Sequence, residues 1–159
     1  MELSPDRRPP APSIAEDYER GAERLLAAIA LAVEPGASFP EQVETALRTI
    51  LALFAAEPEL GRLLTVQPFA GDEAALDCYQ RWQQRSAALL RAAAARSPSA
   101  HVHPPFLEPA LIDGISWQIS RRLLAGGADH LEDLLPSLME FVLLCYFGPE
   151  QAGQLFQVQ

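Results

Sequence analysis

The sequence predicts an all-α fold of about six helices, and three features of the chain carry that expectation. Apolar residues recur at three- and four-residue intervals through most of its length. No segment sustains the period-two alternation of a half-buried strand. Proline, glycine and serine cluster at a few points and leave helical lengths between them. With 159 residues at 17.4 kDa the chain is sized for one domain, in which roughly two thirds of the unfolded surface can be buried. Its 49% hydrophobic and 21% charged residues are ordinary globular values and exclude disorder along the whole length.

Residues 1–13 are Pro-rich and aperiodic and read as a flexible lead-in to a domain over 14–152, with 153–159 as a tail. The first helix is expected over 14–33, where Ile14, Tyr18, Leu25, Leu26, Ile29 and Val33 share a face until Glu34-Pro35-Gly36 breaks the pattern. Ser38-Phe39-Pro40-Glu41 is a capping box with proline in the first turn, so a second helix starts there. Its stripe is Val43, Leu47, Ile50, Leu51 and Phe54, and Pro58 opens a short third helix through Leu64.

Asp72 is a good cap for the longest periodic segment. Leu76, Tyr79, Trp82, Ser86, Leu89, Leu90 and Ala93 fall on one face of this fourth helix, and Arg81, Arg85, Arg91 and Arg96 fall largely on others. Pro98, Pro104 and Pro105 then mark a surface connection that carries His101 and His103. A fifth helix over 107–125 has two apolar faces, one of Leu111, Ile112, Ile115, Ile119 and Leu123, the other of Ala110, Gly114, Trp117 and Leu124. Two apolar faces call for two packing partners. Asp129 and Glu132 resemble a further capping box, and residues 134–147 are apolar nearly all round, with Pro136 in the first turn or at a kink. Gly148-Pro149 ends this last helix.

Charge narrows the function classes. Twelve basic residues, all arginine, face 21 Asp and Glu, a formal net charge of -9 that repels phosphate backbones, so this chain alone is not expected to bind nucleic acid. The N-terminal stretch has no apolar signal core, and the best apolar run, 25–33, falls well short of the roughly 20 residues that span a bilayer. Cys78 and Cys145 lie far apart in helical contexts, the usage of reduced thiols in a cytoplasmic protein. No membrane association and no disulfide are expected.

Chemistry-bearing motifs are scarce. His101-Val102-His103 could chelate, yet no Cys or carboxylate sits between Ser97 and Leu107 to complete a site, so these read as surface histidines and no metal is expected. Neither cysteine has a recognisable base beside it, and there is no Gly-rich phosphate loop, so no catalytic residue and no cofactor are expected. Arg121 and Arg122 suit the negative end of the fifth helix dipole.

Four stretches, in order, carry a resemblance: Glu23-Arg24-Leu25-Leu26-Ala27-Ala28, Leu51-Ala52-Leu53-Phe54-Ala55-Ala56-Glu57-Pro58-Glu59-Leu60-Gly61-Arg62-Leu63-Leu64, Leu111-Ile112-Asp113-Gly114-Ile115-Ser116-Trp117 and Cys145-Tyr146-Phe147-Gly148-Pro149. Together they resemble the C-terminal ligand-binding and dimerisation domain of TetR-family transcriptional regulators, over about residues 14–152. The departure is at the front: the family places a three-helix DNA-binding unit there, whereas here a Pro-rich stretch precedes the first helix, so DNA contact is expected only through a helix-turn-helix not present in this chain.

The resemblance implies that the last two helices form a four-helix interface in a homodimer, and the all-round apolar character of 134–147 points the same way. The expected interface residues are Ala110, Gly114, Trp117, Leu124, Phe141, Leu144 and Phe147. The resemblance also implies a pocket for a small-molecule effector. Phe54, Leu64, Tyr79, Trp82 and Trp117 offer apolar contact area for it, and Gln67, Gln83 and Ser86 neutral hydrogen bonds, with Arg85 leaving room for one carboxylate. That composition suits a small, mainly hydrophobic or aromatic molecule. Plain core packing explains the same aromatic stripe, and two other functions fit the sequence: a helical binding or heterodimerising module with no DNA output, and a small helical enzyme.

Overall fold

The computed structural model describes residues 13–69, 73–97 and 103–157, with side chains as far as Gln154. Asp72, His101 and the lead-in through residue 12 lie outside the described residues. Six α-helices account for most of the rest: α1 (Ile14–Ala32), α2 (Phe39–Ala56), α3 (Pro58–Thr65), α4 (Glu73–Ala94), α5 (Leu107–Leu124) and α6 (Leu135–Gln157). Among the described residues there is no strand, and no helix is long and apolar enough to cross a membrane.

Local chemistry sets most of the boundaries. α1 begins on a capping box one residue inside the expected lead-in: the Glu16 amide donates to Ser13 Oγ at 3.2 Å, and the Ser13 amide donates to Glu16 Oε2 at 3.1 Å. At α2 the Glu41 carboxylate accepts from both the amide and the hydroxyl of Ser38, at 2.8 and 2.7 Å. These bonds hold the Glu41 carboxyl below the usual carboxylate range. Pro58 opens α3 at the position where a missing amide hydrogen costs nothing.

Two boundaries differ from the sequence reading. The Asp129–Glu132 stretch forms two single 3-10 turns, Ala128–His130 and Glu132–Leu134, and α6 starts only at Leu135, with Pro136 in its first turn. Gly148, at φ 73° and ψ 172°, interrupts α6 in a conformation that side-chain-bearing residues rarely adopt. Helix resumes on Pro149 and runs to Gln157, past the expected tail boundary, and Ala152 is fully buried. A proline cannot continue a helix, but it opens a new one well.

α1 packs against α2, α3 and α4; α5 is covered by α3 and α4; and α6 lies along α2. The shared core is built from Tyr18 and Leu25 of α1, Leu47, Leu51 and Phe54 of α2, Leu111, Ile119 and Leu123 of α5, and Leu138, Val142 and Tyr146 of α6. α6 is therefore apolar nearly all round chiefly because the protomer itself encloses it. Gly114 admits Phe141 across the α5–α6 contact, since a Cβ there would stand 2.8 Å from the ring.

One ionic group is sealed into the seam between α4, α5 and α6. Glu108 is 4% exposed, accepts from Arg91 Nη2 at 2.8 Å and Nε at 3.3 Å, and accepts from the Tyr146 hydroxyl at 3.2 Å. Burial alone would push its carboxyl up; the bonds and charge of Arg91, with the Tyr146 hydroxyl, outweigh that and hold it below the ordinary value. Arg91 also ties down the loop before α5 by donating to the Pro105 carbonyl at 3.1 Å. It does so from a face of α4 other than the apolar stripe, as expected, with its side chain half exposed.

Candidate functional site

Between α1, α2, α4 and α5, with Val142 of α6 and Thr65 of α3 also on its wall, lies an inner cavity of about 300 Å³ that is partly open to solvent. α1 contributes Leu25, Leu26, Ile29 and Val33, and α2 faces them with Val43, Leu47, Ile50 and Phe54. α4 contributes Trp82, Ser86, Leu90 and Ala93 at successive helical turns, and α5 adds Ile112, Ile115, Ser116 and Ile119. The wall is aliphatic because each helix turns its core stripe inward, and the stripes leave a space where no side chain is long enough to meet its opposite number.

Two polar atoms stand out against that wall. Trp82 Nε1 and Ser86 Oγ are buried and form no hydrogen bond among the described residues. Three other helical hydroxyls bond back to a carbonyl of their own helix: Thr49 to Thr45 and Thr65 to Gly61, both at 2.8 Å, and Ser120 to Trp117 at 2.9 Å. Ser86 does not. A buried donor without a partner costs about 1–3 kcal/mol, so this stretch of wall is under-satisfied toward a space that can admit an acceptor.

A second, outer groove of about 630 Å³ adjoins the first. It runs between the α1–α2 turn at Pro35–Ser38, the C-terminal end of α4 and the segment after the Gly148 break. Gln42, Ala93 and Arg96 belong to both walls. Gln42 is held there by two bonds: its Nε2 donates to the Ala37 carbonyl at 2.6 Å, and its Oε1 accepts from Arg96 Nη2 at 3.2 Å.

Of the residues expected to line a pocket, Phe54, Trp82 and Ser86 face the inner cavity. The other five are placed elsewhere. Leu64 is fully buried beneath α1, where its carbonyl accepts from the Tyr18 hydroxyl at 3.4 Å. Gln67 sits in the 3-10 turn Gln67–Phe69. Tyr79 and Gln83 converge on Asp113 of α5, donating to the same carboxylate oxygen at 2.7 and 2.5 Å, and so pin α4 to α5. Trp117 is 63% exposed on the far side of α5. Arg85, expected at the pocket edge, is exposed, and Arg96 occupies the corresponding place at the cavity mouth. Periodicity had already marked Leu25, Leu26, Ile29 and Val33 as one inward stripe, but aliphatic side chains that line a cavity and those that fill a core are the same residue types.

The expected interface residues divide in the same way. Ala110, Trp117 and Leu124 form an exposed stripe along α5, with Trp117 and Leu124 63% and 65% exposed, and Leu144 is partly exposed on α6. Gly114 and Phe141 meet each other within the protomer. Phe147 is 7% exposed and its ring packs at a tilt against Phe39, centroids 6.0 Å apart, so it belongs to the core and has little surface left for a partner.

The remaining reactive groups are tied up. Burial pushes the thiols of Cys78 and Cys145 up, the opposite of what a thiolate nucleophile needs. His103 packs edge-on against Tyr146 at 5.1 Å. No group of three His, Cys, Asp or Glu that could hold a metal occurs among the described residues. No protein-family model, no characterised protein and no solved structure matches this chain.

Proposed function

We propose that the chain is the effector-binding and dimerisation domain of a TetR-type transcriptional regulator, sensing a small, mainly hydrophobic molecule. The observation that carries this reading is the inner cavity, about 300 Å³ of apolar wall on which Trp82 Nε1 and Ser86 Oγ lack partners. Ligand sites have that composition, much contact area and a few polar groups that orient the guest. An apolar molecule carrying one oxygen would remove the penalty of the two unbonded groups and fill the space. In a regulator the guest then acts by binding one arrangement of the dimer better than another. DNA contact is left on this reading to a helix-turn-helix unit outside these residues, in keeping with the net charge of -9.

Homodimerisation is supported by the stripe of Ala110, Trp117 and Leu124, joined by Leu144. Paired about a two-fold axis, the same stripe would cover itself, at about 25 cal/mol for each Å² of apolar surface removed from water. The cavity is tested by thermal shift with 1-decanol and indole beside citrate, on the wild type and on Trp82→Ala. The neutral probes should stabilise the wild type and lose most of their effect on the variant. Stabilisation by citrate alone, unchanged in Trp82→Ala, would overturn the ligand reading. Light scattering at micromolar concentration should give twice the 17.4 kDa chain mass. Trp117→Glu combined with Leu124→Glu should halve it, and a wild-type monomer would remove the dimer from the proposal.

A further inference from the structure

Arg96 is the sole ionisable side chain among the described residues that line either the inner cavity or the outer groove. Among the described residues no Asp or Glu lines either space. Nor is the guanidinium neutralised elsewhere among the described residues. Arg20, Arg24, Arg48, Arg62, Arg81 and Arg91 each pair with an Asp or Glu, whereas Arg96, like Arg85, Arg121 and Arg122, is in no such pair; its hydrogen bond goes to the neutral amide oxygen of Gln42, and it alone of these four lines the two spaces. That amide is itself braced by the Ala37 carbonyl. The arrangement holds a cation with free donors at the mouth where an apolar cavity meets an open groove.

We infer that the molecule taken into the inner cavity is an amphiphilic monoacid, its apolar body inside and its single anionic group on Arg96. This rests on the reading of the cavity as the effector site and deepens it. A guanidinium offers five N–H donors and binds a carboxylate through two of them at once, so one bond to Gln42 leaves the fork free for a guest. At the mouth the acid keeps part of its hydration, and its charge need not cross the aliphatic wall. A second acid group deeper in the space would meet neutral side chains, Thr65, Ser86 and Ser116 the polar ones among Phe54, Trp82 and aliphatic groups, with no cation to pair it among the described lining. Ser86 and Ala93 lie two turns apart on α4, about 10 Å along its axis, so the guest is extended and of medium length.

The test is calorimetric titration of the full chain at neutral pH with decanoate, 1-decanol and decanedioate. Wild-type protein should bind decanoate roughly tenfold or more tighter than 1-decanol, the margin of a charge-assisted bond, and decanedioate more weakly than decanoate. Arg96→Leu should bring decanoate down to the level of 1-decanol, while continued binding of 1-decanol reports a folded variant. Arg85→Leu should change none of the three. Equal wild-type affinity for decanoate and 1-decanol, or a decanoate preference that survives Arg96→Leu, would overturn the monoacid and leave the cavity reading intact. Failure of both decanoate and 1-decanol to bind the wild type would overturn the cavity reading and the monoacid with it.

Discussion

Near its C-terminal end α4 sends Arg91 to a buried carboxylate, Glu108, which accepts from Tyr146 as well. Earlier on the same helix, Trp82 and Ser86 bury an indole N–H and a hydroxyl with no partner among the described residues. Both regions are polar groups taken out of water, yet they are built oppositely. The first meets the donors of α4 and α6 with the acceptor of α5, so nothing is left over for a guest. The second leaves its polar atoms unmatched beside an apolar space. Saturated buried polarity locks helices together, and unsaturated buried polarity at a cavity is the mark of a place where something else can bind.

The largest expected effect lies in the saturated region. Glu108→Leu should destabilise the fold by about 2–3 kcal/mol, since it strands the buried Tyr146 hydroxyl; Arg91 is half exposed and recovers water, which keeps the loss below that of a fully buried pair. Chemical denaturation measures it, and a loss under about 0.5 kcal/mol would show the seam to be dispensable.

Next in size is the acid dependence. Because the folded carboxyl of Glu108 sits below its unfolded value of 4.5, its stabilisation is complete above that value and is lost as pH falls through the lower, folded value. Glu41 and Glu57 are shifted the same way, so the contribution is read as a difference. Glu108→Gln should lose less stability on acidification than the wild type; identical acid limbs would place the dependence elsewhere.

In the unsaturated region the sign should reverse. Ser86→Ala removes a buried hydroxyl that bonds nothing, so the ligand-free protein should be unchanged or more stable by up to about 1 kcal/mol, while 1-decanol binding weakens. A destabilisation beyond that size would mean the hydroxyl has a structural partner, and the contrast between the two regions would collapse. The smallest effect is expected at Trp117. It is 63% exposed, so Trp117→Ala should shift stability at low, monomeric concentration by no more than about 0.5 kcal/mol.

Much of the architecture was legible because it is local. The Ser38–Glu41 box, Pro58 and Pro136 in first turns, and the break at Gly148 act within one turn of chain, and each lies where the pattern placed it. Ser13–Glu16 is the same kind of signal, hidden inside a Pro-rich stretch. The site was legible only in part. On α4 the expected face of Leu76, Tyr79, Trp82, Ser86, Leu89, Leu90 and Ala93 puts Tyr79 in the core and Trp82, Ser86, Leu89, Leu90 and Ala93 on the cavity wall, yet Leu76 is 37% exposed, and Ala75, Cys78, Ala87 and Ala94, which that face left out, are buried. Small residues permit close approach, and a reading weighted by side-chain size turns the helix slightly off its true bearing.

The sequence by itself determined six helices, the caps and prolines that open most of them and the general bearing of their apolar stripes, because hydrogen bonds four residues apart, caps and prolines are settled by near neighbours. It also determined that the inward faces are poor in charge. Tertiary structure decided the pairings: that Phe147 meets Phe39, that Glu108 is buried on Arg91, that Tyr79 and Gln83 serve Asp113, and that Arg96 stands at a cavity mouth without a carboxylate. Periodicity states which face of a helix avoids water. Which residue of another helix meets that face, and whether the two close or leave a space, depends on contacts between residues far apart in the chain, and no local pattern encodes them.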